Sequence, residues 1–108
     1  MADPRVTAAQ RAAVEIAGTP ATARQLNSTA TSANVALTAD IRRLSIFARG
    51  ADIRYVVGSG TQTATASSHY IASGERLIIP VTNPANIAVI RAASTDGVLE
   101  ITELTEPQ

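Results

Sequence analysis

Short alternating segments separated by turn residues are the feature that most restricts how this chain can fold. The segment IRRLSIFA, at residues 41–48, places Leu44 and Ile46 on one side and Arg43 and Ser45 on the other. Side chains on one face recur every second residue in a β-strand, whereas a helix repeats every 3.6 residues. The pattern therefore predicts a strand with one buried face.

The same pattern continues along the chain after Val35. It predicts further strands in IRYVV, in a weaker TQTATASSHYIA, and in RLIIPV, IAVIRAA and VLEITEL, with turns in RGAD, GSG, SGE, TNPAN and STDG between them. Pro80 cannot donate to a sheet ladder, so we expect it at an edge, a bulge or a strand end. No long helical pattern intervenes, which disfavours βαβ units. The predicted fold class is all-β: an antiparallel β-sandwich or small jelly roll with an N-terminal arm.

The alternation also predicts which apolar residues face inward. These are Leu44, Ile46, Ile53, Tyr55, Val57, Leu77, Ile79, Val81, Ile87, Val89, Leu99 and Ile101. Val56, Ile78 and Ile90 lie on the opposite faces of their strands. They are either buried at a contact between subunits or single exposed apolar residues of the kind that most proteins carry.

Residues 1–34 are poorer in core-forming side chains and are predicted to form an N-terminal arm, ahead of a β-sandwich domain at residues 35–108. TAAQRAAVEIAG predicts a short helix with Thr7 as its N-cap and Gly18 just beyond its end. Its apolar face is mostly alanine, so it is marginal without a partner. TPATARQLNSTATSAN predicts an extended segment that pairs or docks late, because threonine favours extended backbone.

Composition excludes several classes of function. Nine arginines balance nine acidic residues and there is no lysine, so the chain has no general attraction to nucleic acid or an anionic membrane. There is no cysteine for a disulfide or a thiolate site. No apolar run is long enough to span a membrane, and no secretory signal is evident. Phe47, Tyr55 and Tyr70 are the only aromatic residues, too few for a stacking platform.

No group of residues has the spacing of a catalytic or metal site. His69 is the only histidine, and no cysteine or second histidine accompanies it as a metal ligand. Glu100 and Glu103 face opposite sides of a strand and cannot act as a catalytic pair. We therefore predict a protein that is not an enzyme and needs no cofactor or metal. His69 is a polar residue near a strand end or part of a pH-sensitive subunit contact.

Three segments carry a resemblance to a known class of proteins. TSANVALTADIRRLSIFARGADIRYVVG, TATASSHYIASGERLIIPV and IAVIRAASTDGVLEITEL, within residues 31–104, resemble small virion proteins of tailed bacteriophages. The shared pattern is a strand with a basic pair, a GADIR hairpin, a threonine- and serine-rich strand, a turn into an apolar strand, and a final strand. The resemblance implies a decoration (cement) protein, often trimeric, or a small head, neck or tail accessory protein.

From this resemblance we expect a structural protein on the capsid surface, assembled in the host cytoplasm, that binds the major capsid protein and stabilises the shell. We expect Arg5, Arg11 and Arg24 to anchor the arm, and Arg42 and Arg43 to pair with acidic groups of the same or a neighbouring chain. The alternative is a tail fibre, spike or neck module that binds a receptor, a glycan or a neighbouring virion protein.

Overall fold

The computed structural model describes residues 19–82 and 85–105, which form eight strands and no helix. The strands are β1 (Thr19–Ser28), β2 (Ala33–Ala36), β3 (Arg43–Arg49), β4 (Ile53–Gly58), β5 (His69–Ile71), β6 (Arg76–Pro80), β7 (Asn86–Arg91) and β8 (Gly97–Thr105). All strand pairs are antiparallel. The predicted all-β fold class is confirmed.

The strands divide into two four-stranded sheets that pack face to face. Sheet A has the order β1-β8-β3-β6, and sheet B has the order β2-β7-β4-β5. The chain crosses from one sheet to the other between most consecutive strands, and its first strand pairs with its last. Eight strands in this order form the double Greek key of a jelly roll, which is the second of the two predicted architectures.

The sandwich begins at Thr19, not at Val35 where the sequence pattern placed its boundary. Residues 19–28 form β1, and β2 starts at Ala33, so half of the expected arm belongs to the two sheets. Both are edge strands, which bury one side only and need few large apolar residues. The expected extended conformation of residues 19–34 agrees with this outcome. The predicted helix near residues 7–17 lies outside the described residues.

The core lies between the two sheets and contains the predicted inward-facing residues. Leu44, Ile46, Ile53, Tyr55, Ile71, Ile87, Val89, Leu99 and Ile101 are buried in one cluster, against which Val57, Leu77, Ile79 and Val81 pack while half-buried. Burying a side chain of this size contributes roughly 1.5–3 kcal/mol. Leu26, Ala33 and Val35 pack against the same cluster from edge strands β1 and β2, also half-buried.

The threonine- and serine-rich segment is a strand only at its end. β5 covers His69–Ile71, whereas residues 59–68 form a loop. β5 therefore pairs with Ile53–Tyr55 alone, and the last residues of β4 have no β5 partner. Polar side chains that bond to backbone groups compete with a sheet ladder, which explains why the weak strand pattern here did not produce a long strand.

Two local features hold the ends of strands in place. Gly74 has a φ of 84° in the turn before β6, a conformation that favours glycine. Gly97 begins β8 with no room for a side chain, because a Cβ there would lie 2.9 Å from the carbonyl oxygen of Arg49. Pro80 is the last residue of β6, an edge strand, so its predicted position at an edge or a strand end is confirmed.

Candidate docking surface

The outer face of sheet A, which points away from sheet B, is exposed along β6, whereas Ser45 and Leu104 on the same face are buried. Ile78 on this face is 52% exposed, and Arg76 and Pro80 beside it on β6 are exposed as well. The strand register assigns the face to Ala23 and Gln25 of β1, Val98, Glu100, Thr102 and Leu104 of β8, Arg43, Ser45, Phe47 and Arg49 of β3, and Arg76, Ile78 and Pro80 of β6.

Arg76 and Phe47 give this face a fixed polar and aromatic pattern. The Arg76 guanidinium lies over the Phe47 ring, 5.2 Å from its centroid, and Nη1 donates to Ser45 Oγ at 2.8 Å. Ser45 is buried beneath it. Both of these contacts pair the Arg76 charge with neutral groups. Ile78 stands next to Ser45 in the register, so an exposed apolar side chain lies beside a held cation.

Glu100 is the acidic group at the other end of the face. Its Oε2 accepts from Gln25 Nε2 at 3.2 Å and from Arg49 Nε at 2.9 Å. The hydrogen bonds from Gln25 and from Arg49 lower the pKa of the Glu100 carboxyl. The Arg49 charge is therefore compensated within the face, whereas Arg76 has no such carboxylate contact among its described partners.

The middle of the outer face of sheet B is covered by a segment of the same chain, although Ala36 and Tyr70 on this face are exposed. The loop of residues 59–68 leaves the end of β4 and reaches β2, where the Gln62 amide donates to Asn34 Oδ1 at 2.9 Å. The Ala64 amide donates to Ser32 Oγ at 2.8 Å. Strand β7 lies between β4 and β2, and Ala88 on its outer side is fully buried. The loop thus lies across this face.

The three outward-facing apolar residues noted in the sequence differ in exposure. Val56 and Ile90 are on the loop-covered face and are half-buried, whereas Ile78 on sheet A is exposed. Tyr70 is the other large exposed apolar side chain among the described residues, at 47%. Of the residues considered for a subunit contact, Ile78 alone has the exposure that such a contact requires.

A cleft of about 310 Å³ opens between the two sheets beside β6. It is lined by Tyr55, Val57, Gly58, His69, Ile79, Pro80, Val81 and Thr82. The cleft exists because β5 begins only at His69, opposite Tyr55, whereas β4 continues to Gly58 without a β5 partner. His69, exposed at the mouth, has its ring centroid 5.4 Å from that of Tyr55. Burial, and secondarily the charge of Glu75, raise the pKa of Tyr55.

Arg24 belongs to an internal ion pair. Its Nε donates to Glu103 Oε2 at 2.9 Å and its Nη2 donates to Thr38 Oγ1 at 3.1 Å. The backbone amide of Thr38 donates to the same Glu103 oxygen at 2.9 Å. Burial raises the pKa of Glu103, but the hydrogen bonds from Thr38 and the Arg24 charge outweigh it, so the pKa is lowered. Glu103 is fully buried and faces inward, opposite to Glu100, as predicted.

The sequence predicts Arg5, Arg11 and Arg24 as the anchor of the arm, and Arg42 and Arg43 as partners of acidic groups. Arg5 and Arg11 lie outside the described residues. Arg24 is on β1 and engages Glu103 of its own chain, which corrects its assignment to the arm. Arg42 is exposed before β3, and Arg43 is half-buried as the first residue of β3, where both have contacts within the chain. Arg24 and Glu103 are 79 positions apart, and no sequence pattern indicated that they would be in contact.

A second polar group surrounds Tyr70 on the outer side of β5. The Arg54 guanidinium lies 5.0 Å from the Tyr70 ring centroid, and its Nη1 donates to the carbonyl oxygen of Ser68 at 3.0 Å. The hydrogen bond from Tyr70, with a backbone bond from Ser73, lowers the pKa of Asp52. The same bond to Asp52 raises the pKa of Tyr70. This exposed aromatic ring is therefore held in one orientation.

Residues 19–82 and 85–105 contain no group of three or more histidine, aspartate and glutamate side chains that is arranged to hold a metal ion. The same residues contain no helix long and apolar enough to cross a membrane. When the chain is compared with protein-family models, with curated proteins and with solved structures, no significant match is found.

Proposed function

We propose that this chain is a non-enzymatic structural protein that decorates the capsid of a tailed bacteriophage by binding the major capsid protein. The observation that carries the proposal is the exposed Ile78 on the outer face of sheet A, whereas Val56 and Ile90, the outward-facing apolar residues of sheet B, are half-buried. Exposed apolar side chains that adjoin one another mark protein-binding surfaces, and Ile78 shares this face with the exposed Pro80 and the half-buried Phe47. The sequence resemblance indicates the class of partner.

A capsid is a repetitive lattice, so a decoration protein needs only moderate affinity at each contact. Copies that engage several subunits at once gain effective concentration, and weak contacts add to strong attachment. A chain of zero net charge has no long-range attraction to a partner, so the attachment depends on shape and apolar contact. We extend the proposal to a homotrimer on the capsid surface, assembled in the host cytoplasm, whose mass in solution tests that state directly.

The test is co-sedimentation with empty shells assembled from the major capsid protein that the same genome encodes. Ile78→Asp places a charge in the centre of the proposed contact and is expected to weaken binding at least about tenfold, the effect of roughly 1.4 kcal/mol. Ala36→Asp is the matched control, since Ala36 is exposed on the outer side of sheet B. Equal binding by both variants, or no binding by the wild-type protein, would contradict the proposal.

The contribution of the arm needs a separate truncation. Because β1 starts at Thr19, removal of residues 1–30 would take a strand out of sheet A, whereas removal of residues 1–18 leaves every described strand intact. We expect the shorter truncation to fold and to lose capsid binding. Full binding by that truncation would show that the arm, with Arg5 and Arg11, is not the anchor.

A second candidate function is a receptor- or glycan-binding module of a tail fibre, spike or neck. The observation that favours it is the Tyr70 ring, exposed and held by Asp52 and Arg54. An aromatic face next to an acidic acceptor suits stacking on a sugar ring. A glycan array with purified protein tests it: binding that is lost in Tyr70→Ala supports this function, and an array without binding rejects it.

A further inference from the structure

Strand β6 has a free edge that is unusually apolar. It pairs with β3 on one side and is the last strand of sheet A among the described residues. Leu77 and Ile79 point inward and Ile78 points outward, so both faces of this edge are apolar. Edge strands are normally protected by charged residues or proline, and here Arg76 and Pro80 stand only at the two ends. The middle of the edge is open to another strand.

The register shows which backbone groups this edge offers. The Val81 amide donates to the Arg42 carbonyl, and the Ala48 amide donates to the Glu75 carbonyl. In an antiparallel pair the hydrogen-bonded positions alternate with positions that point away, so the odd-numbered residues of β6 bond to β3. The amides and carbonyls of Arg76 and Ile78, and the carbonyl of Pro80, therefore face the free edge.

The cleft lies directly beside this edge. Ile79 of β6 lines one wall and Val57 of β4 lines the other, where β5 has already ended. A strand added to β6 would place alternate side chains over Leu77 and Ile79, and thus at the mouth of the cleft. A volume of about 310 Å³ holds a bulky side chain and matches the small end of ligand cavities. The site favours an apolar residue on the inward side of the added strand.

Charge determines the other side of the added strand. Arg76 is exposed on this edge strand and its guanidinium, which leans over β3, contacts the neutral Ser45 and Phe47, so its positive charge favours an acidic residue opposite it on the outward side of the added strand. The free edge of β1 is the competing position in sheet A. It carries the exposed polar residues Thr22, Gln25 and Asn27 and has an irregular register between Pro20 and Ala23, which makes it a poorer template.

We propose that the free edge of β6 binds an extended segment of the major capsid protein as a fifth strand of sheet A, with an apolar side chain of that segment in the cleft and an acidic one near Arg76. This inference rests on the proposed function, since it takes the capsid protein as the partner. Main-chain hydrogen bonds supply affinity in such strand addition, and the side-chain pockets supply specificity.

The test separates the backbone of Ile78 from its side chain. Ile78→Pro removes an amide that faces the free edge and leaves the ladder to β3 intact, whereas Ile78→Val keeps the amide and most of the side chain. Co-sedimentation with the assembled capsid shells is expected to weaken about tenfold for Ile78→Pro, as for one unsatisfied hydrogen bond, and less than about twofold for Ile78→Val. Thermal unfolding checks that both variants fold.

Hydrogen exchange on the wild-type protein gives a readout that needs no variant. The Ile78 amide is expected to exchange fast in the free protein and at least about tenfold more slowly with shells bound, because it then donates to the added strand. If shells bind while the Ile78 amide stays unprotected, or while a folded Ile78→Pro variant binds equally well, the inference is overturned and the proposed function stands.

A synthetic seven-residue peptide of alternating valine and glutamate distinguishes the two failures. If shells do not bind but the peptide slows exchange at Ile78, the proposed function falls and the strand-addition site stands. If neither the shells nor the peptide protects Ile78, the site is rejected. Protection that appears with rising concentration of the protein alone would reveal β6 pairing between two copies, and this result also overturns the proposal.

Discussion

The two outer faces of the sandwich differ in how far their apolar residues are shielded from solvent. On sheet B, residues 59–68 cover the middle of the outer side, and their amides donate hydrogen bonds to Ser32, just before β2, and to Asn34 within it. Sheet A leaves Ile78 in solvent and orders its surface with Arg76 and Glu100 instead. A face covered by its own chain is committed to folding, whereas an open face remains available for binding. The exposure of Ile78 indicates a binding surface more strongly because the outward-facing apolar residues of sheet B, Val56 and Ile90, are half-buried.

The largest expected effect comes from placing a charge on each face. Ala88→Asp puts a carboxylate under the loop on sheet B and is expected to lower the free energy of unfolding by at least about 3 kcal/mol, because the charge is buried without a partner. Ile78→Asp on sheet A is expected to lower it by no more than about 1 kcal/mol. Urea unfolding measures both. Equal losses would mean that the two faces are not differently covered.

The next largest effect concerns the inner side of sheet A, where Glu103 is buried and forms an ion pair with Arg24. Arg24→Ala leaves Glu103 charged without its partner and is expected to lower the free energy of unfolding by about 3 kcal/mol at neutral pH. Arg49→Ala, which breaks the exposed pair with Glu100, is the control, with a loss below about 1 kcal/mol. Matching losses in the two variants would contradict the assignment of Glu103 as a buried anchor.

The pH dependence of the same pair has a defined sign. The pKa of Glu103 is lowered in the folded protein, so its stabilising contribution is complete above the ordinary value of 4.5 and is lost as the pH falls through the lowered value. The difference between wild type and Arg24→Ala should therefore shrink in acid. A difference that stays constant from pH 7 to acid pH would show that Glu103 is not the titrating group.

A smaller effect is expected from loosening the cover of sheet B. Ser32→Ala removes the acceptor for the Ala64 amide and is expected to lower the free energy of unfolding by about 1 kcal/mol. The Ala64 amide should then exchange faster with solvent, while core amides such as that of Val89 keep their relative order. Unchanged exchange at Ala64 would show that the loop stays in place without this bond.

The smallest effect belongs to the open face. Phe47→Leu removes the ring beneath Arg76 and is expected to lower the free energy of unfolding by about 0.5–1 kcal/mol, the usual contribution of an exposed cation–π contact. Chemical unfolding at neutral pH measures the change. A loss above about 2 kcal/mol would contradict the description of this face as open, because only a packed surface depends so strongly on one ring.

The strands predicted from the sequence are those whose inward positions are filled by large apolar residues. Leu44 and Ile46 in β3, and Leu99 and Ile101 in β8, stand at every second position and required no knowledge of the partner strand. Edge strand β1 lacks this signal because its exposed side is made of small and polar residues. Extended backbone was predictable there, but membership of the sandwich was not.

The candidate site depends on features that no local pattern carries. The cleft arises from a difference in length between β4 and β5, and the covered face arises from a loop whose composition equally fits a weak strand. The contact of Arg24 with Glu103 joins residues 79 positions apart. Ile78 was correctly placed on an outward face, but its 52% exposure depends on the surroundings of edge strand β6 in the folded chain, which no local pattern carries.

The pairing of β1 with β8 has a consequence for how the chain reaches its native state. The first described strand acquires its sheet partner only when the last one is present, so sheet A cannot be completed until nearly the whole chain is available. Ordering such distant segments costs loop-closure entropy before any contact offsets it, and folds dominated by distant pairings reach the native state slowly. During synthesis, β1 therefore remains without its sheet partner until β8 has been made.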